Sequence, residues 1–417
     1  VKSPPPPPSP FLGWIFRLYN RVISMNLPFR KNTCHRIYQL FPFFAVLVMI
    51  SSAISLVLGP SKALIPPSRL ISQRAHVGEG LARAGGGMKK ATVIGGTGYV
   101  GSHIIECLLR KGYKVTATTR NTSKALWLKD LQKGRSGHLD ISELCLSSQA
   151  PSDTKMDNLA QGNDFIFFCA GFEKQDPSTI DFMVENSQAV LKAARRQKVP
   201  CVVLTSSGGS TNPAGLAPGT RKNEILHWSD PDDQKKKGKF SPAAKTLMEI
   251  NALAEVGRGQ NNEIIDEKRA NGAPRLCIIN PNLILGPQLE PREGVSGNSL
   301  PWVAKILKKE VMSSEIPNDS MSVIDVRDLA EMHVSAAENN KARGRYFGVA
   351  QAARWEEILL AFAKAFPGYT PPPRFQGQAN IPTQFDFTRR DSLGVSFRTL
   401  QETANDLATF FKERGLY

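Results

Sequence analysis

The stretch Ala91-Thr92-Val93-Ile94-Gly95-Gly96-Thr97-Gly98-Tyr99-Val100-Gly101-Ser102-His103-Ile104 decides the fold. Its first four residues read as a short buried strand, and from Tyr99 to Lys111 the apolar residues recur at helical spacing, so the glycines fall in a strand-to-helix turn. Each glycine answers a separate need. Gly95 permits the tight turn, Gly98 lets backbone approach a pyrophosphate, and Gly101 lets the helix close against the strand. The phosphate then lies at a helix N-terminus, where backbone N–H groups have no intrahelical partner. Thr97, Tyr99 and Val100 fill the cradle between the glycines. The ligand that this pattern takes is a nicotinamide dinucleotide.

Working outward, Lys114 to Thr119 reads as a second strand, and further strands are expected at Asp164 to Ala170, Val199 to Thr205 and Arg275 to Ile279. A third-strand candidate spans Glu143 to Leu146. Helical patterns at Asp181 to Gln197 and Ala243 to Val256 separate the later strands. The expected fold is therefore α/β, a Rossmann-type doubly wound parallel sheet over residues 88–287. After Pro287, glycine- and proline-containing loops and shorter helices, at Trp302 to Lys309 and Val326 to Glu338, predict a smaller C-terminal substrate lobe over 288–417 that does not fold independently. Cofactor choice is read at the end of the second strand, where an acid would hold ribose hydroxyls and an Arg would take the extra phosphate of NADP(H). Here that position carries Arg120, with Lys124 close behind and no acid in Thr119 to Lys124. A guanidinium can grip a phosphate with two parallel hydrogen bonds, so NADP(H) is the expected cofactor.

The formal charge of +16 raises the question of a nucleic-acid partner, and its distribution argues against one. Residues 1–87 hold ten Lys or Arg against a single acid, Glu79, which leaves +7 for the rest. The one concentrated run, Lys235 to Lys239, reads as a solvated loop, with a phosphate patch as the alternative. Six cysteines, at 34, 107, 145, 169, 201 and 277, show no paired spacing and no His partners, so neither disulfides nor a zinc site is expected. Several lie in apolar runs as small buried hydrophobes, in keeping with a reducing compartment. The front of the chain reads as an address. A proline run is followed by a basic segment, an apolar stretch from Leu40 to Leu58, and a small-residue site near Ser61-Lys62-Ala63. That stretch of about 19 residues can also span a bilayer, so a signal anchor in the endoplasmic reticulum is the competing reading, with membrane contact only through an uncleaved leader. Leu64 to Gly87 is rich in Arg, Ser, Ala and Gly, like a transit peptide behind a signal, which resembles the bipartite leaders of algal plastid proteins.

The glycine spacing is similar to that of extended short-chain dehydrogenases/reductases, and further landmarks resemble their dihydroflavonol reductase and cinnamoyl-CoA reductase branch. These are Phe168-Cys169-Ala170-Gly171, Asn186, Val203-Leu204-Thr205-Ser206-Ser207, Trp228-Ser229-Asp230, the run from Asn280 to Pro287, and Asp325 to Ala330 with His333. They extend over nearly all of residues 90 to 415. The resemblance implies that Ala170 lies beside the cofactor and that Ser207, with Ser206 and Ser210 close by, holds a substrate carbonyl. It also implies that Lys245 holds the nicotinamide ribose and lowers the pKa of a proton-donating Tyr four residues earlier. That tyrosine is absent. Ser241 stands in its place, and no Tyr occurs between Tyr113 and Tyr346. An aliphatic hydroxyl is far too weak an acid to replace a phenol directly. Ser241 therefore has two readings, a proton relay with Lys245 or an N-cap before Pro242. A milder departure lies near the adenine, where the family's Asp gives way to Ser147 and Ser148. The implied activity is NADPH-dependent reduction of a small-molecule aldehyde or ketone. The alternatives are a non-catalytic NADP(H)-binding scaffold or redox sensor and, third, a nucleotide-sugar epimerase or dehydratase.

Overall fold

The computed structural model describes residues 87–171, 176–217, 219–291, 293–297 and 299–417. The leader assigned to 1–87, with its apolar stretch and Cys34, lies outside them except for Gly87. Among the described residues the strands are β1 Lys90–Ile94, β2 Lys114–Thr119, β3 His138–Glu143, β4 Phe165–Phe168, β5 Cys201–Thr205, β6 Arg221–Lys222, β7 Arg275–Pro281, β8 Leu283–Leu285, β9 Ser320–Asp325, β10 Gly344–Gly348, β11 Gln351–Arg354 and β12 Gln384–Phe385.

Seven of them form one parallel sheet in the order β10-β7-β5-β4-β1-β2-β3. The order reverses between β1 and β4, the switch point beyond whose carboxyl ends an open parallel sheet takes its ligand. Both faces are covered, which explains the continuous apolar runs of the central strands. Phe165 and Phe167 of β4 pack with Ile104 and Leu108 of helix Tyr99–Arg110 and with Met332 of helix Val326–Glu338. Their neighbours Ile166 and Phe168 point the other way, toward Val190 of helix Ser178–Arg196 and Met248 of helix Phe240–Glu255. The expected doubly wound sheet is present.

The third strand differs from its expected place. It runs over His138–Glu143 instead of Glu143 to Leu146. As the sheet's edge, β3 buries Leu139 while leaving Asp140 and Ser142 half-covered, so it lacks the apolar run that marks an inner strand. Beyond residue 287 the chain builds a second core, in which Trp355, Phe362, Phe366, Leu407 and Phe411 pack together beside the small sheet β11-β9-β8. It also returns to the main sheet, because β10 pairs with β7. The run Lys235 to Lys239 is exposed, and two of its lysines pair with Asp232 and Asp233 at 2.7 and 2.8 Å.

Candidate cofactor and active site

β1 ends at Ile94 and the chain turns at once through Gly95, whose φ of +85° suits only glycine. A Cβ at Gly95 would stand 2.7 Å from the backbone nitrogen of Ala170, so the ends of β1 and β4 meet at the switch point. A Cβ at Gly101 would collide with the carbonyl oxygen of Gly95. Gly98 caps the helix without offering a side-chain acceptor, and it is exposed. The first-turn N–H groups at Val100 and Gly101 thus have no side-chain cap competing for them, which is what a pyrophosphate needs. Thr97 and Val100 line the turn half-buried. Tyr99 can serve a cofactor only through its backbone. Its phenol is buried and donates to the Gly286 carbonyl at 2.8 Å, while His103 Nε2 donates to Pro287 at 2.9 Å.

Arg120 directly follows β2 and is exposed, as is Lys124, whose backbone N–H is held at 3.0 Å by the Asn121 side chain. Both lie beyond the carboxyl end of the second strand. Asn186 donates to the Ser147 carbonyl at 2.7 Å and so fixes the segment after β3 on the adenine side.

The second half of the site gathers where β5 ends. Of the three candidate serines, Ser206 and Ser210 are buried, and the Ser206 hydroxyl is tied to the Glu249 carboxylate. Ser207 is half-buried and its Oγ accepts from Gly209 N–H at 3.1 Å, which leaves its own hydrogen to donate. Lys245 donates from Nζ to the Thr205 carbonyl at 2.8 Å. Burial lowers the pKa of this amine to about 8, against the opposing pull of Cys169 and Glu249. The Thr205 hydroxyl meets His333 Nε2 at 2.8 Å. Since His333 Nδ1 must donate to the Leu329 carbonyl, Nε2 is the acceptor, and burial holds that ring neutral with a pKa near 4. Cys169, read from sequence as a buried hydrophobe, stands beside Thr205 and Lys245, with its thiol pushed up to about 11 by burial.

Ser241 is not the N-cap that its pairing with Pro242 suggested. The cap is Lys239, and Ser241 is the second residue of helix Phe240–Glu255. The proline is accommodated inside the first turn, where its missing N–H costs nothing. Ser241 and Lys245 are therefore one helical turn apart, the spacing that puts two side chains on one face. Among the described residues the Ser241 hydroxyl makes no hydrogen bond. Among the described residues no phenol is hydrogen-bonded to Ser207, Ser241 or Lys245, and Tyr369 is buried in the second core. The hydroxyls of Tyr99, Tyr113, Tyr346 and Tyr417 bond to Gly286, Glu338, Arg343 and Pro367 respectively.

Beneath Ser207 and Lys245 lies a buried clamp that motif reading saw only in pieces. Glu249, fully buried and one turn beyond Lys245, takes Asn280 Nδ2 at 2.7 Å, and the same amide donates to the Ser207 carbonyl at 3.1 Å. Arg345 Nε lies 2.7 Å from the other Glu249 oxygen. Its guanidinium stacks 3.6 Å from the Trp228 ring centroid and reaches the Ser210 carbonyl at 2.8 Å. Trp228-Ser229-Asp230 is thus structural: Ser229 braces Gly209 and Asn212, and Asp230 caps helix Pro231–Lys236. An Arg within the otherwise apolar strand Gly344–Gly348 was the available signal for Arg345.

A family profile described as NAD(P)H-binding matches residues 95–237. Among curated proteins, tetraketide alpha-pyrone reductase 2 of Arabidopsis thaliana is 28% identical over 343 residues, covering 79% of this chain and 100% of the relative. Cinnamoyl-CoA reductase 1 of the same plant is 29% identical, covering 78% and 90%. The anthocyanidin reductase of Vitis vinifera is 29% identical, covering 79% and 97%. The chain carries an NAD(P)H-binding domain, and its curated homologues are reductases. Solved structures share the fold. Vestitone reductase from alfalfa superposes with a TM-score of 0.63 at 23% identity, over 79% of this chain and 99% of that one. Yeast methylglyoxal/isovaleraldehyde reductase Gre2, complexed with NADPH, does so at 0.63 and 20%, over 79% and 100%.

Proposed function

We propose that the chain is an NADPH-dependent reductase of an aldehyde or ketone, working without the family's tyrosine. The observation that carries this is Lys245: its half-buried side chain, with Nζ 2.8 Å from the Thr205 carbonyl, stands at the base of the strand end that presents Ser207. A lysine with a merely solvated role would not be brought there. The reductases among its curated relatives support the same reading, and Arg120 favours NADPH over NADH.

A bound NADPH supplies a hydride for the carbonyl carbon. The protein does the rest. Ser207, already accepting from Gly209, donates to the carbonyl oxygen and polarises it. Lys245 keeps one proton on Thr205 and offers the others toward the ribose and the developing alkoxide. Ser241 is too weak an acid to ionise, so it passes a proton on only as it receives one from Lys245 or water. Loss of a positioned general acid costs on the order of 10² to 10⁴ in rate, so slow turnover is expected. The experiment is to mix the full chain with NADPH and a panel of aldehydes and ketones, following loss of reduced-nicotinamide absorbance. Oxidation with at least one carbonyl supports the proposal; tight binding with no oxidation by any of them contradicts it.

The absent phenol favours one second reading, a non-catalytic NADP(H)-binding scaffold. Ser241→Tyr separates the two, because a site complete but for its acid gains activity and a remodelled one does not. For residues 1–87 the proposed address is a plastid, supported by the signal-like and transit-like segments in tandem. A fluorescent fusion to that leader in an algal cell should reach the plastid, and retention in the endoplasmic reticulum would indicate the signal anchor.

A further inference from the structure

β6 is two residues long, and its second residue, Lys222, is only 4% exposed. Its Nζ donates to Thr211 Oγ1 at 3.2 Å and to Asn212 Oδ1 at 2.5 Å, and lies 5.3 Å from the Phe385 ring centroid. Thr211 in turn donates to the Gly208 carbonyl at 2.8 Å, next to Ser207. The ammonium therefore backs the loop that begins at the substrate-holding serine.

Both acceptors are neutral. No carboxylate among the described residues comes within ion-pair distance of Lys222, and its third proton finds no acceptor there. The contrast with Arg345 is direct, since that buried cation has Glu249 at 2.7 Å. Burial, with Arg345 nearby, lowers the Lys222 pKa to about 8, which still leaves it charged at neutral pH. Charges are buried without a counter-charge only at a cost, and the pairing of β6 with β12 does not require one. Asn212 is exposed, and with its Oδ1 turned to Lys222 its Nδ2 remains a donor at the loop surface.

We propose that Lys222 and Asn212 bind a carboxylate on the substrate, so that the preferred substrate is an aldehyde or ketone bearing an acidic group within reach of Ser207. This rests on the reductase reading and names its substrate class. An ammonium and an amide N–H side by side suit the two oxygens of a carboxylate.

The test compares succinic semialdehyde with butanal, which share a chain length and differ in the carboxylate, using the full chain and NADPH. The wild type should favour the acidic aldehyde at least about tenfold in kcat/KM, chiefly through KM. Lys222→Met should bring that ratio close to one, and Lys222→Arg should retain most of it. Equal use of both aldehydes by the wild type, or a preference that survives Lys222→Met, overturns the proposal. If neither aldehyde is reduced, the reductase reading is what fails, and calorimetric titration of the NADP⁺-loaded chain with succinate tests the site by itself. Binding weakened about tenfold by Lys222→Met, or by Lys222→Gln should the first variant not fold, then supports it. No binding, or binding indifferent to the substitution, overturns it.

Discussion

The turn at Gly95–Gly101 and the helix start at Phe240–Lys245 would attend the same cofactor, yet they have been kept to different standards. In the turn, every constraint is met: Gly95 at a positive φ against Ala170, Gly101 against Gly95, and an open helix N-terminus at Gly98. At the helix start, Lys245 is in place above its Glu249 clamp while its acidic partner is a serine. Binding a dinucleotide and protonating an alkoxide are separable demands on this fold. A chain can keep the first intact while the second is weakened.

Lys245→Met should have the largest effect, lowering kcat by about 10³ if the amine carries the surviving proton transfer, and single-turnover NADPH oxidation measures it. A loss in NADPH affinity alone, with kcat intact, would move Lys245 to the binding side of the comparison. Ser241→Tyr attacks the other side: turnover should rise by about 10², provided that the site admits a ring. Gly101→Val should weaken NADPH about 10- to 100-fold by forcing helix and turn apart, read by nicotinamide fluorescence on protein whose circular dichroism is unchanged. Arg120→Ser should cut the preference for NADPH over NADH about tenfold in paired titrations. The smallest effect is in pH. Because burial depresses the Lys245 amine to about 8, the protonated form is lost as pH rises through that value, so kcat should fall above pH 8 in the wild type. Lys245→Arg, which stays protonated, should flatten that fall.

Local signals carried most of what could be read from the chain. β2 occupies Lys114–Thr119 and the helix after β9 occupies Val326–Glu338, as their periodicity indicated, and the glycine turn lies where its spacing put it. Each of these is set by neighbours a few residues away. What escaped depends on distant partners. β3 is an edge strand whose exposed face erases the apolar run, and Lys239 takes the cap position that Ser241 and Pro242 advertised. Arg345 gains its meaning from Glu249 and Trp228, about a hundred residues earlier, and Lys222 from a loop that folds back over it. The motif residues Asn280 and His333 were recognised as landmarks, but their work, holding Ser207 and Thr205, is visible only in three dimensions.

The most direct measurement is an equilibrium titration of the full chain with NADPH and with NADH, followed by addition of carbonyl substrate to the NADPH complex. The expected result is saturable binding that favours NADPH, followed by slow oxidation that Ser241→Tyr accelerates. Failure to bind either nucleotide would contradict the assignment of the glycine turn and, with it, everything built on that turn.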